Sequence, residues 1–255
     1  MAFIQLHLFS NALGMQTQVG VIIPQKDTVG EIGLDNGVQS GKYKTLYLLH
    51  GLSDDQTIWH RRTSIERYAT EYGICVVMPF GGRSFYMNEK NGDQYYTYIA
   101  KELPARISEF FNVSNKREDR GIAGNSMGGY GALKIALKES NVFGMGAGLS
   151  SVADIRLQRF EQHLKNVLGE ENYISDDEDL FALATKHNNA EVKPRLFMSC
   201  GTEDFLYQDN VRLKEHFKTL DYDYTYEEHP GVHCWEYWDE HIQRVLKWMF
   251  GNNVQ

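Results

Sequence analysis

The chain of 255 residues holds only three cysteines, Cys75, Cys200 and Cys234. Odd in number and without C-x-x-C spacing, they provide neither a disulfide framework nor a zinc site, and they suit reduced thiols in a cytoplasmic protein. Basic residues are in deficit: 26 Lys and Arg against 34 Asp and Glu leave a formal net charge of −8. Such an acidic chain, with no long basic cluster, is expected to bind neither nucleic acid nor an anionic membrane. No apolar run approaches the roughly 20 residues that span a bilayer. The first nine residues, MAFIQLHLF, lack the basic start and cleavage site of a secretory signal, and their alternation reads as a strand. No internal repeat or low-complexity tract is present.

What is there fits a globular protein: 42% hydrophobic and 24% charged residues, in a length that one domain spanning 1–255 can accommodate. Residues 3–9 and 18–23 read as two initial strands, expected to pair antiparallel. Residues 45–50 and 74–78 are short, continuous apolar runs of the kind found in parallel strands covered on both faces. Further strands are expected at 121–124, 145–149, 195–200 and 222–227, the last near the sheet edge. Ile65, Tyr68, Ala69 and Tyr72 form a helical stripe, and so do Trp238, Ile242, Val245, Leu246 and Met249 in a closing helix over 235–250. Alternating strands and helices predict an α/β fold with a mostly parallel central sheet and helices on both faces. Residues 25–42 are glycine-rich and read as a surface hairpin or loop. Residues 152–192 form an insertion with helical periodicity at 157–168 and 179–186, either a solvated decoration or a small helical lid.

The pentapeptide Gly124-Asn125-Ser126-Met127-Gly128 stands between the apolar run Arg120–Ala123 and a helical pattern over 129–138. With 23 glycines and 13 serines in the chain, chance alone gives roughly 0.1 such G-x-S-x-G pentapeptides, so the bare motif is weak. Its context is specific. A serine on a sharp strand-to-helix turn has its hydroxyl lifted clear of the sheet, and the flanking glycines are needed where side chains would collide with the neighbouring strand or helix.

A serine hydroxyl is a weak nucleophile at neutral pH, so a base must take its proton and a third group must orient that base. In chain order the acid should follow a later strand, and Thr202-Glu203-Asp204 follows the 195–200 run directly. Asp204 is the expected acid, with Glu203 and Asp209 as competitors. The base should come after the last strand, where Glu228-His229-Pro230-Gly231-Val232-His233 offers two histidines. His233, on a glycine-containing loop before the closing helix, is preferred. His229 still belongs to the strand end and precedes a restricting proline. His60, His163, His187 and His216 read as surface residues.

An oxyanion needs two backbone N–H donors. One is expected from Met127, at the positive end of its helix, and the other from Leu52, after the His50-Gly51 strand end. Gly51 would let the backbone approach a substrate, and His50 reads as a support for that loop. Trp59, Phe85, Tyr86 and Trp235 are candidates for shaping a substrate pocket, although Trp and Tyr are often simply buried.

Together, LLHGLSDD over 48–55, GNSMGGYGAL over 124–133, the 201–204 turn and HCWEYW over 233–238 resemble the esterase D superfamily of α/β-hydrolases, closest to the tributyrin esterases of Gram-positive bacteria. The four motifs occur in order along nearly the whole chain. The resemblance implies an α/β-hydrolase fold, no metal or other cofactor, a small-molecule ester as substrate, hydrolysis of short-acyl esters, and a homo-oligomer. The superfamily also includes S-formylglutathione hydrolases, which usually carry histidines where this chain has Asn125 and Tyr130, and a His-Ser motif where it has His233-x-Trp235. Those departures favour the ester branch over the glutathione thioesterases. A non-catalytic α/β-hydrolase that binds a ligand or partner is the reading from another class, and it usually lacks a triad member.

Overall fold

A run that is apolar at every residue can leave neither face to water, so it belongs in the covered centre of a sheet. The computed structural model describes residues 1–25 and 41–251, and eight strands join in one sheet among them. β1 (Ala2–Ser10) and β2 (Met15–Ile23) form an antiparallel hairpin at one edge. β3 (Thr45–Leu49), β4 (Cys75–Pro79), β5 (Arg120–Asn125), β6 (Met145–Leu149), β7 (Arg195–Gly201) and β8 (Tyr224–His229) run parallel to one another. The order across the sheet is β1-β2-β4-β3-β5-β6-β7-β8, with β2 antiparallel to β4. The loop expected at 25–42 lies almost wholly outside the described residues.

Side chains alternate across a strand, and here both faces are covered. Leu46 and Leu48 of β3 share one face with Val76, Met78 and Ala123. They lie beneath α1 (Ile58–Arg62), α2 (Ile65–Tyr72) and α9 (Trp235–Phe250), with Ile65, Ile242, Val245 and Leu246 in the same cluster. Tyr47 and Leu49 point the other way with Val77 and Ile122, into a larger cluster. That cluster also takes residues from α4 (Leu103–Phe110), α5 (Met127–Lys138), α6 (Glu161–Leu168), α7 (Leu180–Lys186) and α8 (Tyr207–Phe217). The 152–192 segment is no solvated decoration: Phe160, Leu164, Val167, Leu180, Leu183 and Ala184 are all buried in this cluster.

Two details of the helical layer lie outside the sequence reading. α3 (Tyr95–Thr97) runs into α4 through a π-helical turn, Tyr98–Glu102. The turn brings Glu102 under the first hairpin, where its carboxylate accepts from Ser10 Oγ (2.6 Å), Asn11 N (2.8 Å) and Ala12 N (3.1 Å). On α5, Lys134 is fully buried, with Nζ 2.5 Å from Glu178 Oε2 and 4.9 Å from the centre of the Tyr130 ring. Burial outweighs the pull of Glu178 and brings the ammonium pKa down to about 8.

The parallel strands determine where a ligand meets the sheet. From β3 the chain crosses to β4 on one side, and from β5 to β6 on the other, so a crevice opens between the carboxyl ends of β3 and β5.

Glu178→Ala would leave the Lys134 ammonium buried without its carboxylate. Unfolding in urea should show a loss of about 3 kcal/mol or more, whereas Lys134→Met, which removes the buried charge itself, should cost less.

Candidate active site

Three loops at the carboxyl ends of the strands meet at this crevice. Ser126 sits between β5 and α5 at φ 54°, ψ −118°. Its glycine neighbours are there for space. A Cβ on Gly128 would lie 2.5 Å from Leu49 O and 2.7 Å from His50 O, and one on Gly124 would lie 2.5 Å from the Gly128 carbonyl. All three distances are below any real carbon contact, so α5 reaches the end of β3 only because those side chains are missing. Strain is concentrated here: of the five non-glycine residues with positive φ among the described residues, Phe85, Tyr86, Ser126 and Ser150 all follow strand ends on this side.

His233, in the loop between β8 and α9, bridges Ser126 and Asp204. Its Nε2 is 3.0 Å from Ser126 Oγ and its Nδ1 is 2.8 Å from Asp204 Oδ2. A carboxylate can only accept, so Nδ1 carries the proton and Nε2 presents its lone pair to the serine hydroxyl. Asp204 follows β7, and its side chain is wholly buried. Its other oxygen accepts from Leu206 N at 2.8 Å. The acid and histidine loops are stitched together: Thr202 N donates to His229 O (2.9 Å) and Glu203 N to Gly231 O (3.0 Å).

The competitors have other partners. Glu203 Oε2 accepts from Gly231 N at 2.5 Å and so braces the histidine loop. Asp209 is held by Arg212 at 2.6 Å, and His229 faces Glu227 at 3.4 Å.

The loop after β3 lies against the serine. A Cβ on Gly51 would come within 3.8 Å of Ser126 Cβ, 3.3 Å of Asn125 Nδ2 and 3.0 Å of Asp54 Oδ2. His50 holds that loop in place. Its Nδ1 lies 2.8 Å from Gly51 O and its Nε2 accepts from Gly81 N at 2.9 Å. One nitrogen donates and the other accepts, which requires a neutral ring, and burial keeps its pKa below the usual value.

The four aromatic candidates are placed differently from one another. Trp59 is buried, with Nε1 donating to Leu49 O at 2.9 Å, and its ring meets Trp235 edge-on at 5.0 Å. Phe85 is buried between Tyr130 and Phe160, and Tyr86 is buried with its hydroxyl donating to His50 O at 2.8 Å. Trp235 is partly buried. Two aromatic residues outside the four pocket candidates touch His233 itself: Trp238, edge-on at 4.8 Å, and Phe205 at 4.5 Å. Trp238 stands on the helical stripe of α9, whereas Phe205 lies in the loop after β7, where no period marks it. Tyr130, counted above as a departure from the thioesterases, donates to Glu178 O at 2.6 Å, away from the Ser126–His233–Asp204 line.

The sheet order and the serine turn define an α/β-hydrolase. The chain belongs to the esterase family whose sequence model is described as “Putative esterase”, matched over residues 10–249. It is 31% identical to an acetyl esterase of Caldicellulosiruptor saccharolyticus, over 98% of each chain. Among solved structures it is similar to the substrate-bound fluorophosphonate-binding serine hydrolase F of Staphylococcus aureus, with TM-score 0.87, 36% identity and 98% of each chain covered. An S-formylglutathione hydrolase of Staphylococcus aureus matches with TM-score 0.85, also at 36% identity and 98% coverage of each chain.

Gly128→Ala should lower stability by about 2–3 kcal/mol, because the new methyl meets backbone carbonyls that cannot rotate away. Gly14→Ala is the comparison: nothing lies within 4 Å of its Cβ position, so only the strain of its φ of +65° remains. Urea midpoints of the two variants measure the difference.

Proposed function

We propose that this protein is a serine carboxylesterase that hydrolyses short-acyl esters through an acyl-enzyme. The observation that carries the reading is the single imidazole held between a strained serine and a buried carboxylate. Ser126 Oγ attacks the acyl carbon as His233 Nε2 takes its proton. Asp204 holds the tautomer and stabilises the imidazolium that forms. The tetrahedral oxyanion is stabilised by the amides of Met127, at the N-terminus of α5, and of Leu52, beside Gly51. His233 then protonates the leaving group, and water activated by the same nitrogen releases the acid. Retention of all three side chains argues against a non-catalytic binding protein. Among the described residues no helix is long and apolar enough to cross a membrane, in keeping with a small ester substrate met in water.

The short-acyl preference rests on the resemblance to tributyrin esterases and on the name of the acetyl esterase relative. The buried Phe85 and Tyr86 would limit the depth of an acyl pocket. A second reading, thioester hydrolysis of the S-formylglutathione type, is favoured by the 36% identical structure bearing that name. It is also favoured by the position of Tyr130, whose substitution for histidine does not alter the serine–histidine–aspartate line.

Ser126→Ala should reduce kcat on an activated ester by about 10⁴–10⁶-fold with the fold intact, and should abolish labelling by a fluorophosphonate probe. Retention of a tenth of the activity would mean that the nucleophile is another residue.

For acetyl, butyryl, octanoyl and palmitoyl esters of one alcohol, kcat/KM should peak at acetyl or butyryl. Each methylene that no longer fits forfeits its transfer free energy of about 0.8 kcal/mol. A maximum at octanoyl or beyond refutes the short-acyl preference, and a large advantage for S-formylglutathione, run alongside, selects the second reading.

A further inference from the structure

The leaving group of an ester must depart past the base that protonates it, so the wall next to His233 is the wall it meets. That wall is Phe205. Its ring lies 4.5 Å from the imidazole, yet the residue is 51% exposed, as is Val232 beside His233. Two large apolar side chains exposed at the catalytic base offer apolar surface that a ligand can cover.

Over the same ring lies a cation. The Arg159 guanidinium carbon is 4.8 Å from the centre of the Phe205 ring, and among the described residues this arginine has no carboxylate partner. Its neighbours contrast with it: Arg156 pairs with Asp179, and Arg212 pairs with Asp154 and Asp209. The nearby acids are already engaged, Glu161 with Lys165 at 2.7 Å and Glu203 with Gly231 N. One helical turn on from Arg159, His163 accepts from Arg83 Nη2 at 3.1 Å, which adds a second exposed guanidinium that has no acid partner among the described residues. In a chain of net charge −8, two uncompensated arginines beside the site are a local positive potential directed at the incoming ligand.

We propose that Phe205 and Arg159 form a leaving-group subsite, and that the preferred substrates carry a carboxylate on their alcohol or thiol moiety. The apolar part of that moiety packs on the Phe205 ring, and its carboxylate takes the guanidinium of Arg159. This subsite rests on the ester hydrolase reading above and gives it a substrate class. Arg159 is a specificity residue and takes no part in proton transfer.

The test compares two acetate esters of equal size, 4-acetoxybenzoate and 4-acetoxybenzamide, which differ in the charge of the leaving group. Wild-type kcat/KM should favour the carboxylate, and added salt should shrink the preference. In Arg159→Gln the carboxylate-to-carboxamide ratio should fall by about tenfold or more, the worth of one charge-assisted hydrogen bond. Arg159→Lys should restore part of it, and Lys218→Gln, at the far end of α8, should leave the ratio alone. A wild type without preference, or an Arg159→Gln variant in which both esters change alike, overturns the subsite. Failure of the underlying reading looks different: neither ester would be turned over in a Ser126-dependent way. Running the mercaptobenzoate thioester beside the oxygen ester tells an alcohol from a thiol leaving group.

Discussion

The contact between the N-terminus of α5 and the end of β3 is the constraint on which the rest depends. Only hydrogen atoms at positions 124 and 128 allow the helix to come so close to Leu49 O and His50 O. With the helix there, the connecting residue must turn in a single step, and Ser126 is forced to positive φ. The same approach brings the first free amide of the helix, that of Met127, alongside the loop that leaves β3. A looser helix would relax the serine, and its hydroxyl would no longer stand opposite His233.

Around that contact, the loops are held by hydrogen bonds made to each other. The acid and histidine loops share backbone bonds between 202–203 and 229–231, so Asp204 and His233 are placed as one unit. His50 does the same for the loops after β3 and β4, as a neutral ring that gives to one and receives from the other. Trp238, whose Nε1 donates to Ser150 Oγ at 3.2 Å, adds a flat wall that keeps the His233 ring upright. Sharp positioning thus arises on irregular backbone because each loop has its neighbour as a template.

The strands were legible because burial on both faces leaves a continuous apolar run, as in Tyr47 with its neighbours or the 145–149 segment, which matches β6 residue for residue. Ser126 and Asp204 could be read as candidates because each stands just past such a run, and His233 because it lies between the last strand and the closing helix. The 95–110 stretch gave no comparable signal: it opens with Tyr-Tyr-Thr-Tyr-Ile, weak helix formers, and carries Pro104, so the π-helical turn and its cap on the first hairpin were invisible. Lys134 occupies a polar position in the helical pattern but is buried, because its partner, Glu178, comes from a segment 44 residues away. Phe205 was missed for the same reason. Contacts between loops depend on three-dimensional closure and leave no period in the chain.

Tyr86 fills the room that two glycines leave. A Cβ on Gly81 would strike its ring at 2.5 Å, one on Gly131 would meet its Cγ at 2.6 Å, and its hydroxyl holds the carbonyl of His50. Gly81 and Tyr86 belong to the loop after β4 and Gly131 to α5, but all three share one volume, so they are not free to vary independently. A lineage that exchanged the tyrosine for a smaller residue would gain a cavity that alanine at either glycine could refill, while alanine arriving first would have nowhere to go. The order of substitutions, and not merely their sum, would decide which relatives of this chain are reachable by single steps.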